Sequence, residues 1–103
     1  MHPKKTNVLE IVRQCFALGR YVYSKHALIR QKERGISDGD VRCAALNGWH
    51  EKKKDAWDIQ YESWNYSIRG SSLDGERLRI PVNLDEFDSL GTIIITVINL
   101  DRD

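Results

Sequence analysis

One hundred and three residues with a hydrophobic share of 41% suffice for one modest core and exclude two separate ones. No apolar run approaches the roughly 20 residues of a membrane span, and Met1 to Lys5 leads into no apolar signal-peptide region, so a soluble, cytoplasmic chain is expected. The net charge of +1 hides a split: residues 1–54 hold 12 Lys+Arg against 5 Asp+Glu, a net of +7, and residues 55–103 hold 4 against 10, a net of −6. A basic half attracts a polyanion; the bland alternative is that the two halves neutralise each other.

In chain order, Asn7 with Glu10 three residues on forms a capping-box pattern. Val8, Ile11, Val12, Cys15 and Phe16 then recur at helical spacing, which predicts a helix from Val8 to Leu18 that ends at Gly19. Tyr21 to Tyr23 read as a short strand or extended link. Ser24 caps a second helix, with Tyr23 and Leu28 placed as a hydrophobic staple, and Gly35 stops it. Ser37 and Asp40 form a capping box for a third helix, Ile36 staples onto Val41, and Gly48 ends the run. Cys15 and Cys43, embedded in apolar helical patterns, read as small buried hydrophobes rather than as a disulfide or a metal cluster.

After Gly48 the pattern alternates, and strands are predicted near Trp49 to Lys54, Trp64 to Ser71, Arg77 to Leu84 and Thr92 to Asn99, with residues 55–63 ambiguous. The β-branched run from Thr92 to Asn99 suits a central strand covered on both faces. Asp74-Gly75 marks a hairpin. A plain two-residue turn would put Tyr66 and Ile68 on the face opposite Ile80 and Val82, whereas a three-residue loop with Gly75 in a left-handed bulge aligns Trp64, Tyr66 and Ile68 with Leu84, Val82 and Ile80. That register also sets Arg69 across from Arg79, with Arg77 next on the same polar face. Facing like charges are unfavourable unless an anion or a carboxylate lies between them. The expected fold is α+β: N-terminal helices packed on one face of a four-stranded, mainly antiparallel sheet, the whole of 1–103 forming one domain.

There is no phosphate loop, no Gly-x-Ser-x-Gly elbow and no histidine pair at metal spacing, since His2, His26 and His50 are far apart; no metal or small-molecule cofactor is expected. The run from Ser24 to Ser37 places His26, Arg30 and Arg34 four residues apart on one helical stripe. His26 falls in the first turn, where free backbone N–H groups and the helix dipole favour a bound anion. Arg30 and Arg34 have the fork geometry for phosphate oxygens. The bland alternative is a solvated helix face on which the arginines pair with Glu33 or another carboxylate. Trp49, Trp57 and Trp64 are candidates for stacking on bases, against an ordinary core or protein-binding role.

The residues from Tyr21 to Leu100 resemble the bacterial domain-of-unknown-function family DUF4258. The likeness rests on the Ser-x-His-Ala run with Arg30 and Glu33-Arg34-Gly35-Ile36-Ser37, the close at Asn47-Gly48, the strand Tyr66-x-Ile68-x-Gly70 with its Asp74-Gly75 turn, and the strand from Ile94 to Val97. Residues 7–19 form an extra helix outside the resemblance, and Glu51 to Trp57 match no motif of it. That family is similar to ribonuclease toxins of RelE and BrnT type. What the resemblance implies is a RelE-like fold and a metal-independent RNA endonuclease, partnered by RNA and by an inhibiting antitoxin protein. In that reading His26 is the candidate base or acid, Arg30 and Arg34 complete the catalytic set, and Arg69, Arg77 and Arg79, with Tyr66, are the RNA-binding residues. The alternative is a noncatalytic RNA- or protein-binding module of the same fold.

Overall fold

The computed structural model describes residues 3–85 and 91–102; Met1 and His2, which entered the terminal and histidine readings, lie outside them. In chain order the elements are α1 (Val8–Ala17), β1 (Tyr21–Tyr23), α2 (Lys25–Arg34), α3 (Asp38–Asn47), β2 (Trp49–His50), a 3-10 turn at Lys52–Lys54, β3 (Ala56–Asp58), β4 (Ser63–Ser71), β5 (Arg77–Asp85), β6 (Gly91–Ile94) and β7 (Ile98–Asn99). No helix among the described residues is long and apolar enough to cross a membrane.

The helices begin and end where their local chemistry dictates. Ser24 accepts a hydrogen bond from the Ala27 amide at 3.0 Å, and Ser37 and Asp40 close a full capping box with two 3.0 Å bonds. Asn7, by contrast, makes no side-chain cap, and α1 starts without the expected box. Leu28, the expected staple partner of Tyr23, is 55% exposed. Ile36 and Val41 are both buried. Cys15 and Cys43 are free thiols and only half-buried, at the rim of the core rather than inside it.

Among the described residues the sheet has seven strands, not four. Its main path runs β1-β6-β5-β4-β2, with β3 on β4 and β7 on β5; the β1–β6 pair is parallel and the other pairs of these strands are antiparallel. Two of the extra strands come from segments left open by pattern, Tyr21–Tyr23 and Ala56–Asp58. The predicted strand from Trp49 to Lys54 stops after two residues and becomes the 3-10 turn. The long run near the end divides into β6 and β7 for a chemical reason. Ile95 donates to the Pro81 carbonyl at 2.9 Å, but proline has no N–H to return, and the Ile95 carbonyl accepts the Ser24 hydroxyl at 2.8 Å instead. From there the pairing slips: Val82 faces Ile94 while Arg79 faces Ile98, so three steps along β5 match four along its partner, a bulge.

The β4–β5 hairpin has the bulged register. Tyr66 faces Val82, Ile68 faces Ile80 and Arg69 faces Arg79; Ser72 donates to Glu76 at 2.8 Å, and Gly75 takes a left-handed φ of +81°. Val8, Val12 and Phe16 of α1 and Val41, Ala44 and Ala45 of α3 meet Ile68, Ile80, Val82 and Ile94 in one core, leaving the arginine-bearing face turned away from those helices. Asp38 joins β1 to α3 by accepting from the Tyr23 hydroxyl at 2.6 Å and the Tyr21 hydroxyl at 2.8 Å; burial and then this carboxylate push the Tyr23 phenol up.

The end of α3 presses directly on β4. A Cβ on Gly70 would fall 2.0 Å from the Ala44 carbonyl oxygen, a contact no side-chain rotation relieves. Gly70→Ala is therefore expected to cost about 3 kcal/mol or more in urea denaturation. Gly75→Ala, with no atom within 4 Å of the new Cβ and only the left-handed φ to accommodate, should cost about 1 kcal/mol. Equal losses would mean that α3 and β4 have room to separate.

Candidate functional site

On the face away from α1 and α3, strand pairing sets out a row of side chains. Trp49 faces Arg69 across β2 and β4, Arg69 faces Arg79 across β4 and β5, and Ser71 faces Arg77 one pair further. The arginines that alternation put on one polar face are thus together on it. Trp49 is 52% exposed, with the Arg69 guanidinium 6.0 Å from its ring centre. An open pocket of about 340 Å³ lies beside them, lined by Asn47, Trp49, Arg69, Gly70, Ser71 and Arg77.

Asn47 fixes the rim of this pocket. Its amide donates to the Ser71 carbonyl at 3.1 Å and its carbonyl accepts from the Ser71 amide at 3.1 Å, so a side chain at the end of α3 continues the β2–β4 ladder where no strand residue is available. Arg77 is oriented by Asp101, which takes its Nε and its backbone amide at 2.8 Å each; these bonds hold the Asp101 carboxyl below the usual range. The Arg77 side chain is mostly exposed.

Between Arg69 and Arg79 lies Glu51, 8% exposed. Arg79 grips it in a fork, Nε to Oε1 at 2.7 Å and Nη2 to Oε2 at 3.2 Å; Arg69 donates Nη1 to Oε2 at 3.2 Å, and the Ser67 hydroxyl lies 3.4 Å from Oε1. The Arg79 hydrogen bonds, joined by those of Arg69 and outweighing the effect of burial, hold the Glu51 carboxyl below the ordinary carboxylate range. The carboxylate that two facing arginines require is supplied from within the chain.

A second carboxylate completes the same strand edge. Asp55, its side chain 1% exposed, accepts from the Ser67 amide at 2.8 Å, from Lys4 Nζ at 2.7 Å, and meets His50 Nε2 at 2.8 Å. The imidazole lies edge-on to Tyr66, whose hydroxyl accepts from the Lys5 amide at 2.9 Å. This cluster clasps the N-terminal segment to the sheet. Tyr66 itself is 4% exposed, its ring in the core, and offers a ligand no surface. Trp57 and Trp64 meet edge to face at 5.8 Å, and Lys4 covers the Trp64 ring.

The α2 stripe is arranged differently. His26 is exposed and accepts from Arg30 Nε at 3.4 Å; Arg30 also pairs with Glu33 at 3.3 Å, and Arg34 reaches across to the Val97 carbonyl at 2.9 Å. Arg34 thereby ties α2 to the link between β6 and β7. α2 packs on β1, which lies at the opposite end of the strand order from β2 and its Trp49. Glu51 and Asp55 were missed by sequence reasoning. The available signal for Glu51 was its two-residue spacing from Trp49, which shares a face with it in any strand, but its partners are 18 and 28 residues away.

Residues 23–99 match the family model described as domain of unknown function DUF4258. Neither the curated proteins nor the solved structures yield a match.

Two tests address the Glu51 triad. Arg79→Ala should lower stability by roughly 2 kcal/mol, because it strips the fork from a buried carboxylate; a gain in melting temperature would mean that arginine repulsion outweighs the ion pairs. Acid should act on the same group. The folded-state pKa of Glu51 lies below its unfolded value, so its contribution is complete above about pH 4.3 and lost as pH falls through the folded value. Between neutral pH and that range's lower end, the wild type should lose more stability than Glu51→Gln; parallel urea-midpoint profiles would remove Glu51 from the acid response.

Proposed function

The chain belongs to the DUF4258 family, and from that premise we propose that it binds single-stranded RNA on the arginine face of its sheet and, in the cytoplasm, acts as a metal-independent endoribonuclease of RelE/BrnT type restrained by an antitoxin protein. The observation that carries the binding half is the exposed Trp49 beside Arg69 and Arg77 at one open pocket. An indole face stacks on any base, worth about 1 to 3 kcal/mol per base, and guanidinium forks match phosphate oxygens.

For cleavage, a base takes the proton of a ribose 2′-hydroxyl, the oxygen attacks the adjacent phosphorus, and the 5′-oxygen leaves with a proton from an acid, generating a cyclic phosphate; arginines offset the charge that builds on the phosphoryl oxygens. His26 is the proposed proton-transfer group, with Arg30 and Arg34 beside it on α2. One observation favours a second reading, RNA binding without turnover: His26 lies on α2 against β1, whereas Trp49 lies on β2 at the other end of the strand order.

Affinity for a single-stranded oligoribonucleotide should fall as salt rises, through counterion release, and Trp49→Ala should weaken it roughly tenfold. Incubation with total RNA in chelator separates the two readings. Cleavage that His26→Ala abolishes, with circular dichroism and RNA affinity retained, supports the nuclease. Salt-dependent binding without cleavage supports the binding module. Absence of binding at low salt ends both.

A further inference from the structure

The Glu51 carboxylate is held chiefly by groups that also suit a phosphate. Its partners are two guanidiniums that antiparallel pairing has placed face to face, so the space between them attracts an anion whatever its source. We infer that Arg69 and Arg79 form the phosphodiester seat of the RNA-binding face, and that Glu51 fills this seat in the free protein and is displaced from it when RNA binds. The inference rests on the RNA-binding reading and adds to it the group that sets its affinity.

Three features support the exchange. A phosphodiester and a carboxylate each carry one negative charge and present two equivalent oxygens, so the replacement keeps both the charge and the fork geometry at Arg79. Arg69 belongs to both places at once: it lines the Trp49 pocket and pairs with Glu51, so a strand with a base against Trp49 brings its phosphates to the same guanidinium. Glu51 also comes from the short link between a two-residue strand and a 3-10 turn, followed by the exposed Lys52, Lys53 and Lys54, which offer the displaced carboxylate a cationic surface. Its Ser67 contact, at 3.4 Å, is the loosest of the set.

Removing the internal competitor should therefore tighten RNA binding, the opposite of what loss of a merely structural ion pair would do. The probe is a ten-nucleotide 2′-O-methyl single strand, which binds as RNA does and has no free 2′-hydroxyl to react. Glu51→Gln, folded by circular dichroism, should bind it roughly tenfold more tightly at low salt, because the ion pairs of Glu51 no longer have to be broken before a phosphate takes the seat. The slope of log affinity against log salt should match that of the wild type, since the same phosphates are held in both proteins. Glu10→Gln, which changes net charge equally on the exposed side of α1, should leave the affinity near that of the wild type. In the wild type, the Glu51 side-chain carboxyl carbon resonance should shift as the strand is added, a readout that holds even if the variant does not fold.

If the wild type binds with Trp49 dependence while Glu51→Gln gains nothing, or Glu10→Gln gains as much, the seat assignment is wrong and the RNA reading stands. An unmoved Glu51 resonance at saturation has the same meaning. If the wild type does not bind the strand, the RNA reading fails and takes the seat with it.

Discussion

The pairing of β4 with β5 places the strongest demand on the rest of the chain. Side chains alternate along a strand, so the register that stacks Ile68 on Ile80 and Tyr66 on Val82 within the core also sets Arg69 against Arg79 outside it. Slipping by one residue would relieve the arginines and expose the core. Burial of several large aliphatics outweighs repulsion between two partly solvated charges, so the apolar register holds and the arginines must be neutralised by another element. Glu51 does this, and the short β2 strand, the turn after it and the close approach of α3 to β4 all serve to bring it there.

Much of the sheet is completed by side chains rather than by strands. Asn47 stands in for a backbone partner of Ser71, Asp55 for a partner of the Ser67 amide, and Ser24 takes the Ile95 carbonyl that proline leaves unserved. Each occurs where the chain departs from regular pairing while the neighbouring strand continues, and a buried backbone group without a partner would be costly. These substitutions allow short, irregular strands to border two long ones, and the Asn47 pair ties the rim of the Trp49 pocket to β4.

Ion pairs cross the charge split along the sequence in two senses: Lys4 with Asp55 joins the majority charges of the two halves, whereas Glu51 with Arg69 and Arg79 joins the minority charge of each. Among the cations that remain outward-facing, two groups differ in character. Those of α2 accompany exposed Leu28 and Ile29, whereas Arg69 and Arg77 accompany an exposed indole and are pre-oriented by carboxylates. Aromatic and guanidinium planes suit bases and phosphates better than aliphatics do, which separates the two surfaces physically despite their common sign.

The features legible in sequence were those set by near neighbours. Ser24 and Ser37 as helix caps, Gly35 and Gly48 as helix ends, and the Gly75 bulge with its arginine register depend on contacts a few residues apart, where side-chain chemistry and the period of the backbone suffice. Alternation also placed Arg69, Arg77 and Arg79 on one face, and the need for an anion between two of them followed from charge alone. Which carboxylate answers that need was beyond it, as were the Asp55 clasp, the break between β6 and β7 and the packing of α2 on β1 at the far end of the strand order from β2. Each depends on which segments far apart in the chain come to lie side by side. Local propensity carries no information about that; it is settled only when the whole core closes and every buried polar group must find its partner.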